Sequence, residues 1–493
     1  VSTTDSDLAP VAAVVVLAAG GGTRMKSAKS KLLHEVGGKP MLSFAVSAAA
    51  ALNPAHLVVV VGHLREQVSD HLEKLSEAVT TAVQDDQLGT GHAVACGLAG
   101  LGELEGDVVV TYADVPMLTG DTLRQLVAVH RAHHHSVTVL TARVEDPTGY
   151  GRIIRDGDAV TGIVEHKDAT DEQRAIDEIN SGIYVFDAAT LREGLASLTT
   201  DNAQGEQYLT DVLTYAHSRS QRVGAHLIDD VWQTEGVNDR VQLARINLEM
   251  NRRIRDAWMM AGVTMVDPSS TWIDVDVDLA RDVVLMPGVI LQGATTVGEG
   301  AIIGPDTTLM DVEVGPGAEV IRTHGSFAVI GENATVGPFA YLRPGTELGK
   351  GGKIGTFVET KNAVIGDGAK VPHLTYAGDA VIDEGVNIGA GTIFANYDGV
   401  YKSTTHVGRN AFVGSNTVLV APVDIGAGAL VGAGSTITDD VPAGSLALAR
   451  GRQRNIDGWT ADRRPGSKAA AAAAEHDGSI HPAVLESRAK KKA

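Results

Sequence analysis

Three groups of residues in this sequence have the types and spacing that chemistry needs. The first is Leu17-Ala-Ala-Gly-Gly-Gly-Thr-Arg-Met25, with Lys31 shortly after it. Gly20, Gly21 and Gly22 let a backbone approach a ligand closely and turn its N–H groups toward phosphate oxygens. Arg24 and Lys31 would set positive charge against a triphosphate. The loop is neither a Walker A motif nor the G-x-G-x-x-G dinucleotide fingerprint, because Met25 stands where each requires glycine. Taken alone it is a phosphate cradle or a tight strand-to-helix turn. The second group is Asp114-Val-Pro116, a carboxylate placed for function or a turn residue closing a strand. The third is Arg343, Lys361 and His373. A lone histidine in a repetitive β segment reads first as structural, but Arg343 and Lys361 fall at register-consistent positions and are costly to bury without an anion.

The elements that must hold these residues follow two different periods. Val11–Leu17, Leu57–Val61, Val108–Thr111 and Val137–Thr141 are short apolar runs rich in valine. Between them lie the helical stretches Pro40–Leu52, Glu66–Leu75, His92–Leu101 and Thr122–His134. Continuous apolar strands separated by helices predict an α/β, mostly parallel, doubly wound (Rossmann-like) sheet, which binds ligands beyond the carboxyl ends of its strands. The loops after Leu17 and Thr111 are therefore the first places to look.

Beyond residue 281 the period is six. Ile330, Val336, Leu342, Leu348 and Ile354 keep this step, as do Val297, Ile303 and Leu309. The series resumes at Ile382, Ile388 and Phe394, then runs through Val407, Val413, Leu419, Ile425, Val431 and Ile437. Such hexapeptide repeats predict a left-handed parallel β-helix of nearly ten coils, with aliphatics inside and small residues at the turns. Glycine follows the same division: 31 of the 56 glycines lie between residues 282 and 458. The repeat breaks between Val371 and Ile382, around His373, and between Phe394 and Val407, around Asn396-Tyr-Asp-Gly399. Breaks of this kind place loops or side chains for function.

Composition bounds the rest. The net charge of −20 argues against a nucleic-acid binder, and a single cysteine, Cys96, excludes an intrachain disulfide and fits a reducing compartment. The apolar run Val11–Ala19 is too short to span a bilayer, so the expectation is a soluble cytoplasmic protein without a membrane partner. The expected divisions are a flexible N-terminus over 1–10, the doubly wound α/β domain over 11–239 and a linker with a helical arm over 240–281. The β-helix follows over 282–458, then an unstructured tail over 459–493. His130 and His133–His135 are expected to form a solvated helix end, since adjacent helix positions do not share a face. Trp459, past the last coil, packs against a neighbour or a coenzyme.

Leu17–Met25 with Lys31 resembles the signature of the sugar nucleotidyltransferases. Gln84, Gln87-Leu-Gly-Thr90, Asp114-Val-Pro116, Gly149-Tyr-Gly-Arg152, Val164-Glu-His-Lys167, Ile179-Asn-Ser-Gly182 and Glu235-Gly-Val-Asn238 follow in the same order. With the hexapeptide half behind them, the chain resembles along most of its length one bacterial family. Its members join an N-acetylglucosamine-1-phosphate uridyltransferase to a glucosamine-1-phosphate acetyltransferase. The resemblance implies synthesis of UDP-N-acetylglucosamine, a precursor of peptidoglycan, lipopolysaccharide and other envelope polymers. It implies that Leu17, Ala18, Ala19, Gly20 and Gln84 hold uracil and ribose, with Gly89 and Thr90 selecting uridine. Arg24 and Lys31 face the UTP phosphates, and Asp114 and Asn238 hold Mg2+. Tyr112, Gly151, Glu165 and Asn180 hold the sugar.

For the second half the resemblance implies His373 as general base, acetyl-CoA as acyl donor and a homotrimer as the working assembly. Arg343, Lys361, Tyr376 and Asn387 would then hold glucosamine-1-phosphate, and Ala390, Asn396, Tyr397, Ser415, Ala433 and Arg450 would line the acetyl-CoA groove. Three positions depart from the family pattern: Ala113 replaces glycine before the metal aspartate, Ser30 replaces proline before Lys31, and Asp239 follows Asn238 in place of asparagine. The Ala113 methyl group is expected to crowd the first site and slow it. Two rival readings are a single-function nucleotidyltransferase with a scaffold β-helix and a non-enzymatic trimer that binds sugar nucleotides.

Overall fold

The structure is a computed structural model that describes residues 9–490 except Ser76 and Asp158. Most of the expected flexible N-terminus, residues 1–8, therefore lies outside the described residues.

The first half is built on a nine-stranded sheet. Its main path runs 223–228, 137–143, 178–187, 107–112, 13–18, 56–61, 80–83. Both faces are covered, which explains the unbroken apolar strands. Val14, Val16 and Ala18 face a cluster with Leu42, Val68 and Leu123. Ala13, Val15 and Leu17 face the opposite cluster, with Val94, Leu191 and Leu213. The central strand Ala13–Ala18 has parallel neighbours on both sides, His56–Val61 and Asp107–Tyr112, so the chain switches direction across its carboxyl end. That is where a ligand crevice opens.

The sequence did not announce the strand Glu178–Asp187. Its apolar pattern is interrupted at Asn180-Ser-Gly182, yet it pairs antiparallel with both 107–112 and 137–143. The register shifts between Asn180 and Tyr184. Gly182 has φ +80° there, and a Cβ on it would lie 2.4 Å from the Tyr112 ring. The irregularity seats that ring.

Helix Arg240–Met260 links the halves. Asp239 caps it, its carboxylate accepting from the N–H groups of Val241 and Gln242, so the departure from asparagine keeps a strong N-cap. Arg253 forks onto Asp230 with two bonds of 2.7 Å. Buried Asn251 donates to the Thr271 carbonyl and accepts from Ile273 N–H, docking the helix on the first coil.

The β-helix starts earlier than the expected residue 282. Thr264–Met265, Trp272–Ile273 and Asp278–Leu279 already pair in parallel with the coil above. The turn Pro268–Ser270 hides this coil by adding residues between Met265 and Ile273, and no glycine marks its sides. Each side then stacks in register, as in Val284 on Ile302 and Thr335 on Lys353. The six-step residues Ile330, Val336, Leu342, Leu348 and Ile354 are all buried, as are Phe394, Val407 and Val413. Among the described residues the tail carries three helices, Trp459–Arg463, Lys468–Glu475 and Pro482–Lys490, none with a buried residue. The run of alanines explains the second, since alanine is the best helix former and Ser467 caps it.

On the outer face of the coils, His406 stands between Asp424 (Nδ1, 2.5 Å) and Asp383 (Nε2, 3.2 Å). Burial opposes protonation of His406, but the two carboxylates outweigh it and hold its pKa above the ordinary value. A raised folded-state pKa gives a stabilisation that is complete below the unfolded value and lost as pH rises through the folded one. Melting measured at about pH 6 and about pH 8 is expected to show an acid-side gain that His406→Gln abolishes; an unchanged pH dependence in that variant would refute the assignment.

Candidate active sites

A cleft of about 270 Å3 opens beyond the carboxyl end of the central strand, lined by Leu17, Ala18, Ala19, Gly20, Lys31, Gln84, Gly89, Thr90, Tyr112 and Asp114. These residues come from four separate stretches of the chain, and the fold brings them together. Gln84 donates to the Gly89 carbonyl at 3.1 Å, and Gln87 donates to the Ala19 carbonyl at 2.8 Å, tying the 84–90 loop to the glycine loop. Gly89, at φ +112°, lies where a Cβ would come within 2.6 Å of the Gln207 carbonyl. Arg24 is exposed on the short helix Thr23–Met25 and does not line the cleft. Ala113 does not line it either. It is fully buried in an apolar cluster with Val109 and Val115, so its methyl group packs in the core and the expected crowding does not arise.

The Lys31 ammonium lies 2.5 Å from Asp114 Oδ2 and 3.3 Å from Asn238 Oδ1. Two oxygens, one charged and one neutral, thus converge on a single cation, for which the ammonium stands in. Val237 N–H donates to the Asp114 carbonyl at 2.9 Å, so the two ligand-bearing segments are fixed to each other. Such a pair leaves coordination positions for phosphate oxygens and water, which suits a hard divalent cation.

A second cavity, about 250 Å3, adjoins the first and shares Thr90, Tyr112 and Glu206 with it. It holds Gly151, Glu165 and Asn180, the expected sugar contacts. Gly151 is tight against Asn180 and Glu165, with a Cβ position 3.3 Å from Glu165 Oε1. Burial, then the charges of Asp168 and Asp211, push the Glu165 carboxyl up, while burial pushes the Tyr112 phenol up. Asn180 Oδ1 accepts from Gly182 N–H and from the Tyr184 hydroxyl. Sequence reasoning missed Gln204, Glu206 and Tyr208, which also line this cavity. They sit in an irregular loop that carries no period; its clasp to the 88–91 loop, Gln207 N–H to Leu88 carbonyl and Gly91 N–H to Gln207 carbonyl, helps bring them there.

The other site lies on the β-helix. Lys361 pairs in register with Gly378, and Arg343 follows Leu342, which pairs with Thr360, so the two cations stack on successive coils. Arg343 donates to Glu359 at 2.9 Å. Contact with Lys402, and then the charge of Arg343, push the pKa of Lys361 below its ordinary value. Three cations are therefore crowded at one place, which suits a bound anion. Lys402 arrives on the excursion Asn396–Ser403, whose ends meet through Ser403 N–H and the Asn396 carbonyl. Asn396 is buried and donates to Asp379 at 2.5 Å and to the Tyr376 hydroxyl at 3.5 Å. The Tyr376 hydroxyl in turn occupies the space of the missing Gly378 side chain. Asn387 stands on the adjoining eleven-stranded face, above Lys370.

His373 is exposed at a corner of the coil, its carbonyl accepting from Gly391 N–H and Thr375 Oγ1. The same corner continues upward. Ala390 accepts from Asn416, Ser415 accepts from Gly434, and the Ala433 carbonyl accepts from the Arg450 guanidinium at 2.8 Å. At about 4.8 Å per coil, His373 to Arg450 is a run of roughly 19 Å along one edge. Tyr397 projects from the excursion, 59% exposed. The Trp459 ring packs under Arg464. Of the histidines near residue 133, His130 is buried against Thr138 and Asp107 and is not part of a solvated end; His133 stacks on His135.

Residues 14–213 match the MobA-like NTP transferase domain, and residues 404–439 match six repeats of the bacterial transferase hexapeptide. The chain is 55% identical over 473 residues to a bifunctional protein GlmU of Corynebacterium efficiens, covering 95% of this chain and 97% of that one. It is 57% identical over 463 residues to that of Kineococcus radiotolerans, covering 94% of each. With that of Cutibacterium acnes the identity is 63% over 391 residues, covering 78% of this chain and 94% of that one. Identity at this level across both halves places the glycine-loop cleft and the corner column in one lineage: the chain belongs to the bifunctional GlmU family.

Proposed function

We propose that the chain makes UDP-N-acetylglucosamine in two steps, acetylating glucosamine-1-phosphate on the β-helix and uridylylating the product in the N-terminal cleft. The carrying observation is that two separate sets of polar groups stand on one chain: the Asp114–Asn238 cation position, and the Lys361–Lys402–Arg343 cluster. A scaffold β-helix would have no use for three crowded cations, so the single-function alternative is not favoured, and neither is a trimer without turnover.

In the first step the sugar amine attacks the thioester carbonyl of acetyl-CoA. His373 takes the amine proton as the carbon–nitrogen bond forms, and coenzyme A leaves as the thiol. Arg343, Lys361 and Lys402 hold the sugar phosphate, with Tyr376 and Asn387 fixing the sugar. The edge from Ala390 to Arg450 holds the extended acyl donor. In the second step a phosphate oxygen of N-acetylglucosamine-1-phosphate attacks the α-phosphorus of UTP in line, and pyrophosphate leaves. Leu17–Gly20 and Gln84 hold the nucleoside, and Glu165 and Asn180 orient the sugar. Asp114 and Asn238 would hold Mg2+, which supplies electrostatic stabilisation of the phosphates when bound. Lys31 then turns its charge from Asp114 toward the phosphates.

The working assembly is a homotrimer. An exposed ladder of Phe339, Phe357 and Leu374 runs along one corner of the coils, the two rings stacked at 5.5 Å, and an exposed apolar strip of this kind needs a partner surface. Asn387 and His373, on the adjoining face and the corner, are then completed by a second copy. UTP and acetyl-CoA place the work in the cytoplasm. Assaying each half-reaction separately tests the proposal: pyrophosphate release from UTP with N-acetylglucosamine-1-phosphate, and free thiol from acetyl-CoA with glucosamine-1-phosphate. Silence in either removes the corresponding half, and a native particle mass other than three chains removes the trimer.

A further inference from the structure

Lys31 is the residue whose placement decides the first site, and the loop that carries it is braced from outside. Ser30 is buried, 5% exposed, with φ −52° and ψ 139°. That is a proline-like backbone, but serine brings an N–H that must find a partner when buried. Gln67 supplies it. Its Oε1 accepts from Ser30 N–H at 2.9 Å, while its Nε2 donates to the Ala28 carbonyl at 3.0 Å. One amide thus grips the 28–30 segment at two points, as a neighbouring strand would. Local turns close the segment at either end, Lys26 N–H to the Thr23 carbonyl and Leu33 N–H to the Ser30 carbonyl.

The core places Gln67. It lies in helix Arg65–Leu72, which is anchored on the sheet by buried Val68 and Leu72. The residues just before this helix press on the glycine loop: Gly62 has no room for a Cβ beside Ala19, and His63 N–H donates to the Ala19 carbonyl at 3.5 Å. On the other side, the Lys31 Cβ fills the space over Gly22, where an added Cβ would come within 2.8 Å. The lysine stem is therefore fixed between Gly22 and Ser30, and its ammonium reaches Asp114.

We propose that Gln67 is a positioning residue for uridylyl transfer, setting the loop that aims Lys31 at Asp114 and at the bound triphosphate. The inference rests on the role given to Lys31 above. It is tested with Gln67→Ala, Gln67→Glu, the double variant Ser30→Pro/Gln67→Ala and Lys31→Ala, assaying both half-reactions and melting. Gln67→Ala is expected to lower kcat/KM for pyrophosphate release by about ten- to a hundredfold, mainly through kcat, with acetyl transfer unchanged. The double variant removes the N–H that lost its acceptor and is expected to recover most of the loss, which a general structural defect would not do. Gln67→Glu keeps the acceptor for Ser30 and is expected to fall less than Gln67→Ala. If Lys31→Ala lowers turnover but Gln67→Ala does not, the positioning role is wrong. If Lys31→Ala itself changes nothing, the role of Lys31 fails first. A folded double variant as slow as Gln67→Ala overturns the proposal; where the double variant does not fold, Gln67→Glu equal to Gln67→Ala overturns it.

Discussion

Replacing His373 by alanine is expected to lower acetyl transfer to glucosamine-1-phosphate by about 10²- to 10⁴-fold, the usual contribution of a positioned general base, and to leave pyrophosphate release from UTP unchanged. The separation follows from the architecture. His373 lies at a coil corner, while the uridyltransferase cleft belongs to a different sheet with its own cores. The fold should tolerate the change, because the bonds at this point reach the main chain of His373 and not its ring: Gly391 N–H and Thr375 Oγ1 both donate to the His373 carbonyl. The exposed imidazole contributes little to packing, so melting should move by less than about 0.5 kcal/mol equivalent. The one cysteine offers no covalent route in its place. Cys96, the one cysteine, lies in the other half, 3.7 Å from His92, and burial raises its thiol pKa, which disfavours the reactive thiolate. Thiol release by His373→Ala within tenfold of the parent, or loss of both activities together, would show that the base lies elsewhere.

How much of this was legible in the sequence depends on whether a residue belonged to a period. Much of the β-helix interior was legible, because Ile330 to Ile354 and Val407 to Ile437 repeat every six and all are buried. Its first coil was not, since Pro268–Ser270 displaced Met265 from the step. Strand Glu178–Asp187 was hidden because its middle, Asn180 to Gly182, is polar and irregular. The site residues split in the same way. Gly20 and Asp114 stand just after apolar strands and announce themselves, and Lys31 follows the glycine loop. Glu206 and Gln67 reach the cleft and its loop only through contacts made by irregular or distant segments, Gln207 on the 88–91 loop and Gln67 on Ser30. Ala113 illustrates the opposite error. Its position beside Asp114 made it a candidate for crowding, but adjacent residues near a strand end point to opposite faces, and its methyl group joins the core.

Replacing Asp114 by alanine is expected to reduce uridylyl transfer by at least about 10³-fold while acetyl transfer continues at its parent rate. The carboxylate is the only charged oxygen of the pair that faces the Lys31 ammonium; its partner, Asn238 Oδ1, is neutral and more distant at 3.3 Å. Without it a divalent cation has one weak protein ligand, and the negative charge gathered on attacking and leaving phosphates is answered by Lys31 alone. The backbone frame should survive, because the tie between Val237 N–H and the Asp114 carbonyl does not involve the side chain, and Lys31 keeps Asn238 as an acceptor. Asp114→Asn preserves the shape and one neutral oxygen, so it should fall between the parent and Asp114→Ala. Chelation should reproduce the same asymmetry in the unmodified protein: pyrophosphate release stops and returns when Mg2+ is restored, while thiol release is indifferent. Calorimetric titration with the cation supplies a readout independent of turnover, in which Asp114→Ala should bind at least about tenfold more weakly. Turnover within tenfold of the parent, or cation binding unaltered by the substitution, would mean that the oxygens meeting at Lys31 form a structural ion pair and that the phosphates are neutralised by other groups.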